Sequence, residues 1–307
     1  MWRTDGYVSP VLLSKLLSIL SVEVKPFAIC RVNHGWRLRL PGPTGIMLHF
    51  VLEGDGTMVA PSGEKFALKP YSLSVVPKGV AHSLEPVGKI NEELRIDSSP
   101  TGEQVCQICA GPEKDCGLVL ACGLVKVNFG DSLGLFDHLR DILAVDFSDS
   151  PQVKDVFPRI MAEQKQSDPG SDTMTAALMT ECLVHLLRQM TDTNHGQLPW
   201  LLALADSRLG RAFDEILEDP TANHSVESLA VTASMSRSAF AEKFTSTFGH
   251  SPMHFVHQLR MLRAAKLLVE GRYSIDEIAH RINYSSRSHF SEAFKKEFGK
   301  SPTAYRS

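Results

Sequence analysis

The last third of this chain states one pattern twice. Residues 225–256 read SVESLAVTASMSRSAFAEKFTSTFGHSPMHFV, and residues 274–305 read SIDEIAHRINYSSRSHFSEAFKKEFGKSPTAY. Leu229 aligns with Ile278, Ala230 with Ala279 and Met235 with Tyr284, at an offset of 49. One extra serine then moves the offset to 50, and Phe240, Phe244, Phe248, Gly249 and Pro252 align with Phe290, Phe294, Phe298, Gly299 and Pro302. A repeat of this length is one supersecondary unit used twice.

Each copy opens as a short amphipathic helix. Ser274 and Glu277 form an S-x-x-E capping box, which satisfies donors left unpaired at a helix start. In the first copy Ser225 is an N-cap, but Ser228 stands where the glutamate would be, so that box reads as incomplete. A tight turn follows at Ser234–Ser236 and Asn283–Ser286. The next helix carries Phe at i, i+4 and i+8, one stripe facing the first helix. Gly249 and Gly299 are stop signals, with proline shortly after. This is the grammar of a helix-turn-helix, whose second helix keeps its opposite face free for a DNA major groove. That face shows Arg237, Ser238, Ala241, Glu242 and Lys243 in copy one, and Arg287, Ser288, His289, Glu292 and Lys295 in copy two. Between the copies, His254 to Glu270 reads as one rigid connecting helix.

These residues resemble the AraC/XylS family of transcription regulators over about residues 206–306. Ile278-Ala279, Phe290, Phe294-Lys295, Phe298-Gly299, Ser301-Pro302 and Tyr305-Arg306 fall where the family signature places them. The resemblance implies two helix-turn-helix units on one connecting helix, docked in successive major grooves of double-stranded DNA. It places Ser238, Ala241 and Glu242, then Arg287, Ser288 and Glu292, toward base edges. Arg237, Lys243, Lys295 and Lys296 fall toward phosphate. The chain departs from the family at Glu242 and Glu292, where arginine is common; a carboxylate accepts from cytosine N4 but is repelled by phosphate.

Charge agrees in sign only. From residue 206 onward there are 14 Lys+Arg against 12 Asp+Glu, leaving 18 against 23 of the chain's 32 and 35 for the remainder. Nonspecific DNA affinity is therefore expected to be modest and salt-sensitive. Length suggests two domains, and 43% hydrophobic content is ample for packed cores. No stretch approaches the ~18 apolar residues of a membrane span. Residues 9–22 (SPVLLSKLLSILSV) read as an amphipathic helix rather than a signal peptide, because Lys15 and serines interrupt them. A cytoplasmic location, no membrane partner and six reduced cysteines are the expectation.

Residues 25–128 differ in kind. Short β-type runs at Ile46–Leu52, Thr57–Ala60, Leu73–Pro77 and Leu118–Phe129 alternate with Gly/Pro punctuation, the pattern of a small sandwich or barrel. LHFVLEGDGTM followed by LKPYSLSVVPKGVAHSL resembles the cupin-type sensor domain of many AraC-family proteins. That resemblance sets His49 and His82 at metal-ligand positions. Val51 stands in place of the first motif's second histidine, and Tyr71-Ser72 in place of the Gly-Asp of the second, so the catalytic metal set is incomplete. Cys122 falls in a later strand pattern. Strands far apart in sequence face one another across a barrel, so His49, His82, Cys122 and Cys30 form a candidate zinc site. The alternative makes Cys30 and Cys122 buried small hydrophobes, His82 a turn residue and His49 a core histidine. Cys106-x-x-Cys109 with Cys116, in a polar segment near Lys114, is a candidate redox switch, a second zinc site completed by His82 or Cys122, or an inert exposed loop.

Residues 131–205 return to helical spacing: Leu133, Phe136, Leu139 and Leu143, then Met174, Leu178, Cys182 and Leu186. Ala176–Met190 is an amphipathic helix, and residues 167–172 (SDPGSD) a loop. The family resemblance implies that these helices pair two protomers; an intrachain helical core has the same sequence pattern. Residues 195–199 read as a hinge, and a helix around Arg208–Leu217 opens the last domain.

The expected fold is therefore multidomain α+β. A cupin-like β-barrel with an N-terminal helix occupies 1–130, a helical segment 131–198, and an all-α double helix-turn-helix domain 199–307. The expected function is a DNA-binding transcription regulator, not an enzyme, acting as most family members do by contacting RNA polymerase. Its barrel senses an oxidant or a metal through Cys and His. Two alternatives stand beside it: a small organic effector, with Trp36 and Phe50 as candidate wall residues, and a cupin metalloenzyme with a DNA-binding tail.

Overall fold

The computed structural model describes residues 10–97, 107–112, 116–129, 133–136, 139–166, 168–193, 198, 201, 204 and 206–306. Helix α1 (Pro10–Leu17) precedes thirteen strands: β1 Leu20–Val24, β2 Ala28–Asn33, β3 Trp36–Leu40, β4 Ile46–Gly54, β5 Gly56–Val59, β6 Lys65–Leu68, β7 Ser72–Val76, β8 His82–Pro86, β9 Glu92–Arg95, β10 Gln107–Ala110, β11 Cys116–Phe129, β12 Leu133–Gly134 and β13 Leu143–Asp146. Then come α2 (Pro151–Lys154), α3 (Val156–Gln166), α4 (Ser171–Thr193), α5 (Ser207–Glu218), α6 (Val226–Thr232), α7 (Arg237–Phe248), α8 (Pro252–Glu270), α9 (Ile275–Arg281), α10 (Arg287–Phe298) and α11 (Pro302–Arg306). They form two compact units.

The first unit comprises residues 22–127 and 139–190. One of its sheets runs β10-β2-β11-β4-β7-β13, with β1 also paired to β11, and the other runs β6-β5-β8-β3-β9. Alternate residues face opposite sides of a strand, and that alternation sorts the β4 side chains. Met47, His49 and Val51 share one side; Leu48 and Phe50 share the other. Met47 and Val51 belong to an apolar cluster with Cys30, Val32, Leu38, Leu84, Leu120 and Cys122. Phe50 instead stacks on Phe157 of α3, ring centroids 4.0 Å apart. It is thus on the side of the sheet opposite His49, and core packing against α3, rather than a wall for a small organic effector inside the barrel, is its role. Trp36 is half-buried against the apolar cluster. A sharp turn joins β4 to β5: Gly54 has φ +80°, and a side chain there would strike the Gly117 carbonyl.

The first apolar stripe of the middle segment is not a helix: Leu133 lies in β12, and Phe136 and Leu139 lie in neither helix nor strand. Leu143, read as part of a helical stripe, lies in β13 and pairs with Val75 of β7. Its strand is four residues long, too short for period 2 to be told from period 3.6. Cys109, read as part of a polar loop, lies in β10, paired in parallel with β2. The expected helix Ala176–Met190 is longer, Ser171–Thr193.

The second unit comprises the described residues of 1–21, 128–138 and 191–307. Helix α1, grouped with the barrel in the sequence reading, belongs here. Leu12, Leu13 and Leu16 are buried, and Lys15 pairs with Asp214 and Glu218 of α5. A side chain at Gly210 of α5 would come within 2.9 Å of the Leu204 carbonyl oxygen.

In both repeats the turn is made by a residue with left-handed backbone, Ser234 at φ 52° and Asn283 at φ 64°. Gly249 and Gly299 end α7 and α10 in the same conformation. Phe240, Phe244 and Phe248 pack with Phe213 and Phe255. Phe290 and Phe294 are fully buried in the second core with Ile278 and Ala279. The first capping box is complete after all. Ser228 Oγ accepts from the Ser225 amide at 3.0 Å while its own amide donates to Ser225 Oγ. A serine at N3 is long enough to close the box that glutamate closes in copy two.

Candidate nucleic-acid interface and barrel site

Helices α7 and α10 present equivalent faces. Their N-caps, Ser236 and Ser286, each accept an amide three residues on, so both first turns are fixed. With the phenylalanines turned inward, α7 exposes Arg237, Ser238, Ala239, Glu242, Thr245 and Ser246. Helix α10 exposes Arg287, Ser288, His289, Glu292, Lys295 and Lys296. Of the residues expected at the interface, Ala241 and Lys243 are only half-exposed. Lys243 is tied to Asp206, the residue capping α5. Hydrogen bonds from Arg208 first, then Lys243, hold the Asp206 carboxyl well below the usual carboxylate range. Ala239 was missed on α7, although it aligns with His289 at the offset of 50.

Helix α8 joins the two units of the repeat. Ser251 caps it, Pro252 stands in its first turn, and Gly271 ends it. Arg260 donates from α8 to the Pro220 and Ala222 carbonyls at 2.8 Å. On the same helix, the Tyr284 hydroxyl and His257 Nδ1 lie 2.8 Å apart. These bonds tie the connecting helix to the segment just before copy one and to the turn of copy two.

The barrel holds a different kind of site. Cys122 of β11 lies opposite His49 of β4, and cross-strand partners share a face. Cys122 Sγ lies 3.0 Å from His49 Nδ1, and His49 Nε2 lies 2.8 Å from His82 Nε2. His82 Nδ1 lies 3.2 Å from the Val80 carbonyl, which can only accept. The protons therefore follow one order. His82 donates from Nδ1 and accepts at Nε2; His49 donates from Nε2 and accepts at Nδ1; the Cys122 thiol donates to His49. Burial holds both imidazoles neutral: His49 is pushed well below its ordinary value, and His82 down to about 4. At its far end the chain reaches a cavity of about 520 Å³ lined by His82, Ser83, Glu85, Arg37 and Arg39.

Of the four expected zinc ligands, three are thus brought together, but in line. Cys122 and His82 sit at opposite nitrogens of His49, so one ion cannot contact all three donors as they stand. Among the described residues no three His, Cys, Asp or Glu side chains converge on a metal position. Cys30 lies in the same apolar cluster. It is paired with Leu120 and so sits diagonally from Cys122, which is paired with Ala28. Cys109 is half-buried and Cys116 exposed; Cys106 lies outside the described residues. Cys182 of α4 is buried, and desolvation pushes its thiol up to about 12.

A β-rich cupin-like unit followed by two helix-turn-helix units on a shared helix defines a class of DNA-binding regulators rather than enzymes. A family model described as Cupin matches residues 12–192, more than half of the chain, and one described as Helix-turn-helix domain matches residues 229–307. The chain belongs to the AraC/XylS family of transcription regulators with an N-terminal cupin-type domain. It is similar to the HTH-type transcriptional regulator AlkR of Acinetobacter baylyi, 27% identical over 96% of this chain and 98% of that one. It is also similar to the RCS-specific HTH-type transcriptional activator RclR of Escherichia coli, 25% identical over 96% of each chain. Among solved structures, the DNA-binding domain of AdpA in complex with a target DNA is 35% identical and covers 32% of this chain and 89% of that one, with a TM-score of 0.31. No helix among the described residues is long and apolar enough to cross a membrane.

Proposed function

We propose that this DNA-binding transcription regulator reads a thiol-reactive oxidant at Cys122, and that oxidation there alters DNA binding through α7 and α10. The observation that carries this reading is the hydrogen-bonded order Cys122–His49–His82 inside the barrel, beside its apolar cluster. Buried polar groups disfavour folding unless paired, so a thiol held 3.0 Å from an imidazole acceptor is a specific arrangement. When a peroxide meets Cys122, sulfur attacks one peroxide oxygen as His49 Nδ1 accepts the thiol proton, the O–O bond breaks, and the other oxygen leaves as alcohol or water by taking that proton from His49. The product is a sulfenic acid. It has a different length and polarity, in a packed core that resists small changes of volume. Cys30, one diagonal away, is the candidate resolving thiol. The name of the Escherichia coli relative, a transcriptional activator, supports activation of transcription as the output.

Zinc is the alternative occupant and requires the His49 ring to turn away from one of its two partners. One preparation separates the readings. The full-length protein, purified under reducing conditions without a histidine tag, is titrated onto a duplex carrying its own upstream region, before and after hydrogen peroxide, and its metal content is measured. An affinity change on oxidation that is absent in Cys122→Ser supports the oxidant reading. The same change in Cys122→Ser refutes it. About one zinc per chain, lost in His82→Ala, would replace it with a metal-holding sensor.

A further inference from the structure

The two reading helices carry the same architecture and the same formal charge, but their cations are paired differently. The exposed face of α7 has one cation, Arg237, and one anion, Glu242. Arg237 is engaged by Glu227 of α6 at 2.8 Å. The only other cation of α7, Lys243, is held by Asp206. At the equivalent face of α10, Arg287, Lys295 and Lys296 outnumber Glu292. None of those three cations is in an ion pair among the described residues. Thr245 and Ser246 of α7 stand where Lys295 and Lys296 stand in α10.

The difference in pairing lies one residue before the capping-box position. In copy two the glutamate at N3, Glu277, bends back to accept from the Ser274 amide at 2.7 Å, and the residue before it is Asp276, one methylene shorter than its counterpart Glu227. In copy one Ser228 closes the box, and Glu227, which is not part of it, reaches Arg237.

We infer that the two heads divide the work of DNA binding. Helix α10 supplies the attraction to the phosphate backbone, and α7 reads its groove mainly with neutral side chains (Ser238, Ala239 and Thr245). This rests on the family-level reading of both helices as DNA-facing. Each phosphate neutralised contributes about 0.9 to the slope of log affinity against log salt. Nearly all of the slope from the reading helices therefore belongs to the second copy.

The test uses the full chain and a 30-base-pair duplex of random sequence, with affinity measured by fluorescence anisotropy from 50 to 200 mM salt. Lys295→Ala/Lys296→Ala is expected to reduce the slope by about 1.8, so that it loses roughly tenfold less affinity than wild type across that range. Arg237→Ala is expected to change the slope by less than about 0.5, because the Glu227 carboxylate beside it offsets its attraction to phosphate. Glu227→Gln is expected to raise the slope by up to about 0.9, and Thr245→Lys/Ser246→Lys by about 1.8. All of these positions are exposed, so the fold tolerates the changes. An unchanged slope in Lys295→Ala/Lys296→Ala overturns the division of work, as does an equal loss in Arg237→Ala. If wild type fails to bind the duplex even at 50 mM salt, the DNA-facing reading falls as well.

Discussion

His49 and His82 are kept neutral by burial, and that has a thermodynamic sign. Both imidazoles titrate lower in the folded state than in the unfolded chain, whose histidines protonate near pH 6.5. Below that pH the unfolded state binds more protons, so stability falls with pH. The fall continues down to about pH 4 for His82, at a rate of up to about 1.4 kcal/mol per pH unit for each histidine. Urea unfolding of the barrel between pH 7 and 4.5 should show this slope, and His82→Asn should remove one histidine's share. A midpoint independent of pH in this window would contradict neutral burial. Removing the central ring by His49→Ala leaves the Cys122 thiol and His82 Nε2 facing a cavity. A loss of about 3 kcal/mol is expected by the same assay. The trio was legible as a set, but the expected facing of strands holds only for His82, on the other sheet; Cys122 is the neighbour of His49 on the adjacent strand. Its linear order was not legible, since which ring nitrogen meets which partner depends on rotamers that spacing does not fix.

The helix-turn-helix elements were readable because phenylalanines at i, i+4 and i+8, glycine stops and prolines after them all repeat at a fixed offset. Local signals and packing agree there. They agreed less in the barrel: Leu143 and Cys109 lie in four-residue strands whose pairing partners are remote, and no local pattern announces such partners. Capping chemistry offers a direct check at this scale. Ser228→Ala removes the reciprocal bond to the Ser225 amide and should destabilise the second unit by about 1 kcal/mol. Ser228→Glu should restore stability by re-forming the box as copy two has it. Gly299→Ala forces a side chain into left-handed backbone at φ 69° and should cost about 1 kcal/mol. Both are read as shifts in thermal midpoint; a neutral Gly299→Ala would mean that the helix ends differently.

At the scale of the whole chain, two units with separate cores need not unfold together. Acid is expected to weaken the barrel more, through its two buried histidines, than the helical unit, where burial lowers His257. Calorimetry at pH 7 and pH 5 would resolve this as one transition moving further than the other. Helix α1 belongs to the helical unit by contact although the barrel follows it in sequence, an arrangement that amphipathicity alone did not reveal. Three buried leucines and Lys15 hold it there. Lys15 itself is raised above its ordinary value, first by the hydrogen bond to Asp214. Deleting α1 should therefore lower the melting point of the helical unit and leave the barrel transition in place; a shift of the barrel transition alone would refute that assignment.

Cys182 lies sealed in α4 with its thiol pushed up to about 12. At pH 8 only about one part in ten thousand is thiolate while the chain is folded. An alkylating reagent can take it at an ordinary rate only when the surrounding helix opens. The rate at which this one sulfur is modified therefore keeps time for the barrel unit, counting its openings one molecule at a time. Because an opened segment exposes its thiol whatever the state of Cys122, the same residue serves as an internal clock against which any chemistry at the hydrogen-bonded trio can be timed.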